Sequence, residues 1–211
     1  MTNTQKKEDE FEIFKLAEEE KIKHEGIIDQ FIVRNISFNI IQYLEKNNIS
    51  PNMITTLSLI TGCIAIWCIL KGYYIYGSLF FWIRYILDCI DGPLARYTKT
   101  TSEFGDKYDH MVDYFSFFGI LLAIATRGYS KYFYIGCVLL TITTVLHHAV
   151  LTHKNIHHSR FVAQILQYLP INEKYFGWAQ YFSSDIITFY MCLAIVIDKK
   201  CISCPAIELN F

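Results

Sequence analysis

Long stretches of this chain are apolar on every face, and no other feature limits its fold as much. Ile54 to Leu70 and Tyr134 to Leu146 lack the polar stripe that a helix on a soluble domain carries, so lipid is expected around them. Hydrophobic residues make up 53% and aromatic residues 16% of the 211 positions, and the charges gather in the amino-terminal region and in short gaps between apolar runs. That is the pattern of a multi-pass membrane protein.

Read from the amino terminus, residues 1–25 mix charges of both signs and predict a solvated, partly helical extension that carries no chemistry. Within the next segment, 26–49, the apolar residues Ile27, Ile28, Phe31, Ile32, Ile36, Ile40, Ile41 and Leu44 recur near helical spacing. They predict an amphipathic helix lying on the membrane surface. Ser50 and Pro51 suit a helix N-terminus, and the spans follow at about 52–70, 73–97, 107–126 and 131–151, with a turn at Lys71-Gly72. Residues 160–169 are short and precede Pro170, whereas 178–197 is long enough to cross. The expected fold is therefore an all-α membrane bundle of six helices, or five, over residues 50–199, with a tail at 200–211.

Lys6, Lys7, Lys15, Lys21, Lys23, Arg34 and Lys46 precede the first span, and Arg96, Lys99 and Lys107 flank the gap between the second and third. Alternate gaps hold fewer basic residues, so the amino terminus and the 97–106 gap are expected in the cytoplasm. Lys199 and Lys200 join that side if there are six spans. No cleavable signal peptide is predicted, and the first span is expected to act as the targeting signal. The net charge of -1 averages over an uneven distribution and points to no nucleic-acid partner. Seven cysteines, mostly inside apolar runs, do not suggest a disulfide framework, and the lone pair Cys201 and Cys204 lacks a second pair of zinc ligands.

The chemistry lies between the second and third spans, in DCIDGPLARYTKTTSEFGDKYDHMVD. Asp88 and Asp91 are three apart and Asp109 and Asp113 four apart, so each pair shares one helix face, and a hairpin can bring the two faces together. Carboxylates at membrane depth need a reason. Four of them converging would take up protons unless one or two divalent cations neutralised them. The plain alternative is a set of caps and salt-bridge partners for Arg84, Arg96 and Lys107. Gly92 and Ala95 leave room beside Asp91, and Arg96 offers a fork of donors suited to a phosphate oxygen. Pro93 is expected to kink the helix locally.

Asp88-x2-Asp91-Gly92-x2-Ala95-Arg96-x8-Gly105-x3-Asp109-x3-Asp113 resembles, at every fixed position, the signature of the CDP-alcohol phosphatidyltransferase family. Pro51-Asn52-x2-Thr55 at the first span adds to the likeness, which runs to about Ile197 and leaves out the amino-terminal extension. The resemblance implies a six-helix membrane bundle, usually dimeric, with its site at the cytoplasmic interface. It also implies two divalent ions, magnesium or manganese, on Asp88, Asp91, Asp109 and Asp113, with Asp113 as general base. Asn52, Thr55, Gly92, Ala95, Arg96, Ser102 and Gly105 would then line the place of the CDP part. The implied reaction moves a phospho-alcohol group from a CDP-alcohol to an acceptor hydroxyl, within phospholipid synthesis, and releases CMP.

Two other classes compete: a cation-coupled transporter and a catalytically silent relative acting as a scaffold. No second copy of the acidic hairpin occurs in 127–211, as an internal repeat would require, and the intact motif argues against silence. Membrane prenyltransferases also pair aspartates through magnesium, but Gly92, Ala95, Arg96 and Gly105 set this pattern apart. Donor and acceptor stay open between lipid and soluble alcohols. Arg84 reads best as a salt-bridge partner of Asp88. Asp185 either faces the bundle or lies near the interface, and His147, His148, His153, His157 and His158 read as a solvated or headgroup-facing loop rather than a metal site.

Overall fold

The computed structural model describes residues 3–23, 25–128, 134–139 and 184–197, with positions 141, 142, 145, 146 and 149. Every regular element among the described residues is helical, and none is a strand. The elements are α1 (Asn3–Ile22), α2 (Ile27–Ile32), a π-helical turn (Val33–Ser37), α3 (Phe38–Lys46), α4 (Pro51–Leu70), α5 (Tyr74–Tyr97), α6 (Glu103–Ala125) and α7 (Ser184–Ile197).

Local chemistry sets their boundaries. Ser50 caps α4 by accepting from the Met53 amide at 3.3 Å, and Pro51 takes the first helical position, where a missing amide costs nothing. The turn at Lys71-Gly72 falls as expected: Gly72 has φ +83° and the Tyr73 amide donates back to the Cys68 carbonyl at 2.8 Å. This closes α4 in a Schellman arrangement. Lys99 ends α5 the same way, with φ +57° and Thr100 donating to Ala95 at 2.9 Å. The helix runs on through Pro93 to that point. Ser102 then caps α6 by accepting from the Gly105 amide at 3.0 Å, which starts the third span at Glu103, one turn earlier than its hydropathy suggests.

Among the described residues, only α4 is both long and apolar enough to cross a membrane by composition. Helices α5 and α6, with 24 and 23 residues, would each extend roughly 35 Å, beyond the ~30 Å of a hydrocarbon core. Their charged residues, Arg84, Asp88, Asp91 and Arg96 on one and Glu103, Asp106, Lys107, Asp109 and Asp113 on the other, break the apolar windows. The fourth span falls largely outside the described residues, although 134–139 is helical. The 160–169 segment, the histidines from His147 to His158, Cys201, Cys204 and the tail also lie outside them. Of the last expected span, α7 covers 184–197; Asp185 falls in its first turn, and its side chain lies outside the described residues.

Two clusters hold the helices together. Ala65, Ile69, Phe81, Ile120, Ala123, Ile124, Met191 and Ile195 join α4, α5, α6 and α7. Gly62 lets α4 approach α6, since a Cβ there would lie 2.7 Å from Ser116 Oγ. The second cluster, with Phe11, Ile22, Val33, Phe38, Ile41, Leu44, Ile54, Ile90 and Leu94, ties the amino-terminal helices to α4 and α5.

That second cluster changes two expectations. The segment from Ile27 to Leu44 is helical as its spacing predicts, but the π-helical turn interrupts it, turning Val33 and Ser37 inward. Ser37 Oγ donates to the Cys89 carbonyl of α5 at 3.1 Å. The amino-terminal extension is not simply solvated. Phe11, Glu18 and Ile22 of α1 are buried, and Phe11 and Phe14 pack against Tyr97, with ring centroids 5.4 and 5.1 Å away. The apolar positions of α1 are too sparse for a sequence stripe, yet they suffice where α5 supplies aromatic partners.

Candidate active site

The site forms where the carboxyl-terminal half of α5 faces the amino-terminal turns of α6, next to the start of α4. On the α4 side, Thr55 Oγ1 donates to Asp91 Oδ2 at 2.6 Å. Both side chains are buried, Asp91 with 5% of its surface exposed. Asn52, Ser102 and Gly105 come together at the mouth: a Cβ on Gly105 would lie 3.1 Å from Ser102 Oγ and 3.4 Å from Asn52 Oδ1. The Thr56 and Tyr108 hydroxyls, 3.1 Å apart, join α4 to α6 one turn further in.

Asp88 and Asp113 meet through a cation from the protein itself. Arg84 Nη2 donates to Asp88 Oδ1 at 3.2 Å and to Asp113 Oδ1 across the helix interface. The pairing with Asp88 is the one its spacing predicts. The reach to Asp113 is not legible in the sequence, because it depends on how α5 and α6 face each other. Of the plain salt-bridge alternatives, only this one involves the signature aspartates, since Lys107 pairs with Glu103 and Arg96 with Glu18.

Asp109 is different. Its Oδ1 is buried and has no hydrogen-bond partner, and its carboxylate lies within Coulombic reach of Asp88 and Asp91. One ligand atom each from Asp109, His110 and Asp113 falls within 4.8 Å of the others. A buried carboxylate oxygen left unpaired beside other carboxylates is costly in a folded protein, and a divalent cation bound by oxygen and imidazole ligands would satisfy it. These residues therefore fit a metal ion. His110 is an addition to the sequence-derived set; its signal is its place beside Asp109 and one turn after Asp106, whose Oδ1 lies 3.8 Å from His110 Nε2.

Gly92 does not simply leave open space. The Arg96 guanidinium folds back over it, with Nη1 3.2 Å and Nη2 3.6 Å from where a Cβ would stand. Arg96 Nε donates to Glu18 Oε2 at 2.8 Å, and Nη2 donates to Glu18 Oε1. Glu18 was not foreseen, because 78 residues separate it from Arg96 and α1 shows no motif. Ala95, half-buried, accepts the closing hydrogen bond of α5 through its carbonyl. The described structure thus brings Asn52, Ser102 and Gly105 together, joins Thr55 to Asp91, and joins Asp88 to Asp113 through Arg84.

Residues 48–198 match the family described as CDP-alcohol phosphatidyltransferase; the chain belongs to that family. It is also similar to the CDP-diacylglycerol--serine O-phosphatidyltransferases of two Helicobacter pylori strains, with 33% identity (strain J99) and 31% identity (strain 26695) over 86 residues. The match covers 41% of this chain and 34% of each relative, so the chain aligns with about a third of those proteins' length. No solved structure matches the chain at a significant level.

Proposed function

We propose that this chain is a metal-dependent phosphatidyltransferase of phospholipid synthesis, which transfers a phospho-alcohol group from a CDP-alcohol to an acceptor hydroxyl and releases CMP. The observation that carries the reading is the partnerless buried oxygen of Asp109, set among the signature carboxylates at the α5–α6 interface. The names of the relatives make CDP-diacylglycerol and serine the first donor and acceptor to try.

In this reading Asp88, Asp91, Asp109 and Asp113, with His110 nearby, hold one or two magnesium or manganese ions. When bound, such ions grip the pyrophosphate and offset charge on the CMP leaving group. Asn52, Thr55, Gly92, Ala95, Arg96, Ser102 and Gly105 hold and orient the CDP end. Asp113 takes the proton from the acceptor hydroxyl as its oxygen attacks the β-phosphorus, and the bond from that phosphorus to the CMP oxygen breaks. Arg84 keeps the Asp113 carboxylate in place for that step. Thr55 does the same for Asp91 by donating to one of its carboxylate oxygens.

The reading includes a multi-pass bundle with the site at the cytoplasmic face, supported by the basic residues flanking 97–106. It also includes a homodimer within the bilayer. Met111, Phe115, Phe118 and Leu122 leave a broad apolar face on α6 exposed, which suits lipid or protein rather than water.

The test is CMP release by the purified protein in detergent with magnesium or manganese. CDP-diacylglycerol and CDP-choline are each offered with a panel of acceptors that includes serine. Acceptor-dependent release that disappears in Asp113→Asn supports the transferase and names its substrates. Metal binding by a folded protein without release from any pair would favour the silent scaffold.

A further inference from the structure

We propose that Glu18, in a helix that precedes the family-matched region, is a positioning residue of the donor site: it orients the Arg96 guanidinium over Gly92 to receive an anionic oxygen of a nucleoside diphosphate. The proposal rests on the reading of Arg96 as a donor-binding residue. It adds α1 to the working enzyme, although the family match begins only at residue 48.

A guanidinium has five N–H donors arranged along two edges. Glu18 takes the Nε and Nη2 edge, which leaves the Nη1 end directed over Gly92. The Arg96 side chain retains 32% exposure while Glu18 retains 4%, so the carboxylate is sealed while part of the arginine side chain stays open. That asymmetry suits a brace better than a plug, since a plug would cover the free end of the guanidinium. A long arginine on a helix end otherwise samples many rotamers, and holding it in one lowers the ordering cost of ligand binding.

The mounting of α1 supports this role. Phe11 and Phe14 pack on Tyr97, the residue after Arg96, and Phe14 also packs on Phe38 at 6.2 Å. Ile22 is buried one turn beyond Glu18. Lys21 is half-buried in the same turn, where burial and the nearby Arg96 charge push its ammonium pKa below the ordinary lysine value. Glu18 and Glu25 offset part of that repulsion.

The experiment uses the full-length protein in detergent. Calorimetry with CDP and magnesium gives nucleotide affinity, and CMP release gives KM and kcat for the donor. Glu18→Ala should weaken CDP binding roughly tenfold, the scale of a lost charge-assisted hydrogen bond, and raise donor KM in proportion, with kcat within about twofold of wild type. Glu18→Gln keeps the shape and part of the hydrogen bonding and should fall between the two; its unfolding temperature shows whether the fold survives should Glu18→Ala lose it. Unchanged CDP affinity and KM in both variants would overturn the proposal. So would tighter CDP binding by Glu18→Ala, which would mark an autoinhibitory contact, or an equal loss of kcat and stability with unchanged CDP affinity, which would mark a structural brace alone. A wild-type protein that binds no CDP would remove the donor-site reading itself, whereas wild-type binding matched by both variants removes only the role of Glu18.

Discussion

Arg84 on α5 donates to the carboxylate of Asp113 on α6, and this pair is the one direct charge contact between the two helices that carry the signature aspartates among the described residues. The guanidinium also holds Asp88 at 3.2 Å, and only 5% of Arg84 is exposed. A protein cation therefore stands among acidic groups that also suit a metal.

Arg84→Ala should make the protein depend on metal for its stability. Removing Arg84 leaves the partly exposed Asp88 and Asp113 carboxylates without their cation, a loss that a bound metal ion can offset. Thermal unfolding in EDTA should fall well below wild type, with much of the loss restored by magnesium. An EDTA-induced drop equal to that of wild type would show that Arg84 does not share the metal's work.

Asp113→Asn should abolish turnover while leaving donor binding largely intact, because the amide keeps the shape of the side chain but cannot accept the hydroxyl proton. Asp91→Ala should weaken metal and nucleotide binding together. Turnover at the wild-type rate by Asp113→Asn would remove the general-base assignment.

Thr55→Val is the finer probe of the same carboxylates. It deletes the 2.6 Å donor to Asp91 at nearly constant volume, so Asp91 loses its one buried side-chain partner. Metal affinity should fall roughly 10-fold to 100-fold, as for other residues that orient a ligand, with less effect on helix content. Magnesium titration of nucleotide binding measures this, and an unchanged midpoint would count against Asp91 as a ligand.

Gly105→Val should cost donor affinity more than stability. Its Cβ would press on Ser102 Oγ at 3.1 Å and touch Asn52 Oδ1 at 3.4 Å, both on exposed residues at the mouth, so the stability cost is limited to loosening the Ser102 cap. Gly62→Val acts in the opposite sense. Its Cβ would lie 2.7 Å from the buried Ser116, and overpacking there should lower stability by about 1–3 kcal/mol without changing donor KM. Comparing unfolding temperature with KM in the two variants separates mouth from core.

Much of this architecture is legible in the residues because it depends on local rules. Ser50-Pro51 and Ser102 mark helix starts, Gly72 marks a stop, and unbroken apolar character marks α4. The aspartate pairs lie three and four apart, so helical geometry alone puts each pair on one face. The resemblance to the family is also written in spacing, from Asp88 to Asp113, and the match over 48–198 bears it out.

What spacing cannot express is which face meets which. Whether Asp113 would meet Arg84, whether Asp91 would find Thr55, and whether Asp109 would keep an unpaired oxygen were decided when α4, α5 and α6 packed at distances set by Gly62, Ser116 and their neighbours. The clearest case is Glu18. The sequence by itself determined a charged amino-terminal helix with few apolar positions, and nothing local told Glu18 apart from its acidic neighbours. Only the tertiary structure buried it against Arg96, because Phe11, Phe14 and Ile22 find partners on α3 and α5 and carry that one carboxylate out of water to the guanidinium. Long-range pairing of this kind depends on the summed packing of surfaces far apart in the chain, and no pattern along α1 encodes it.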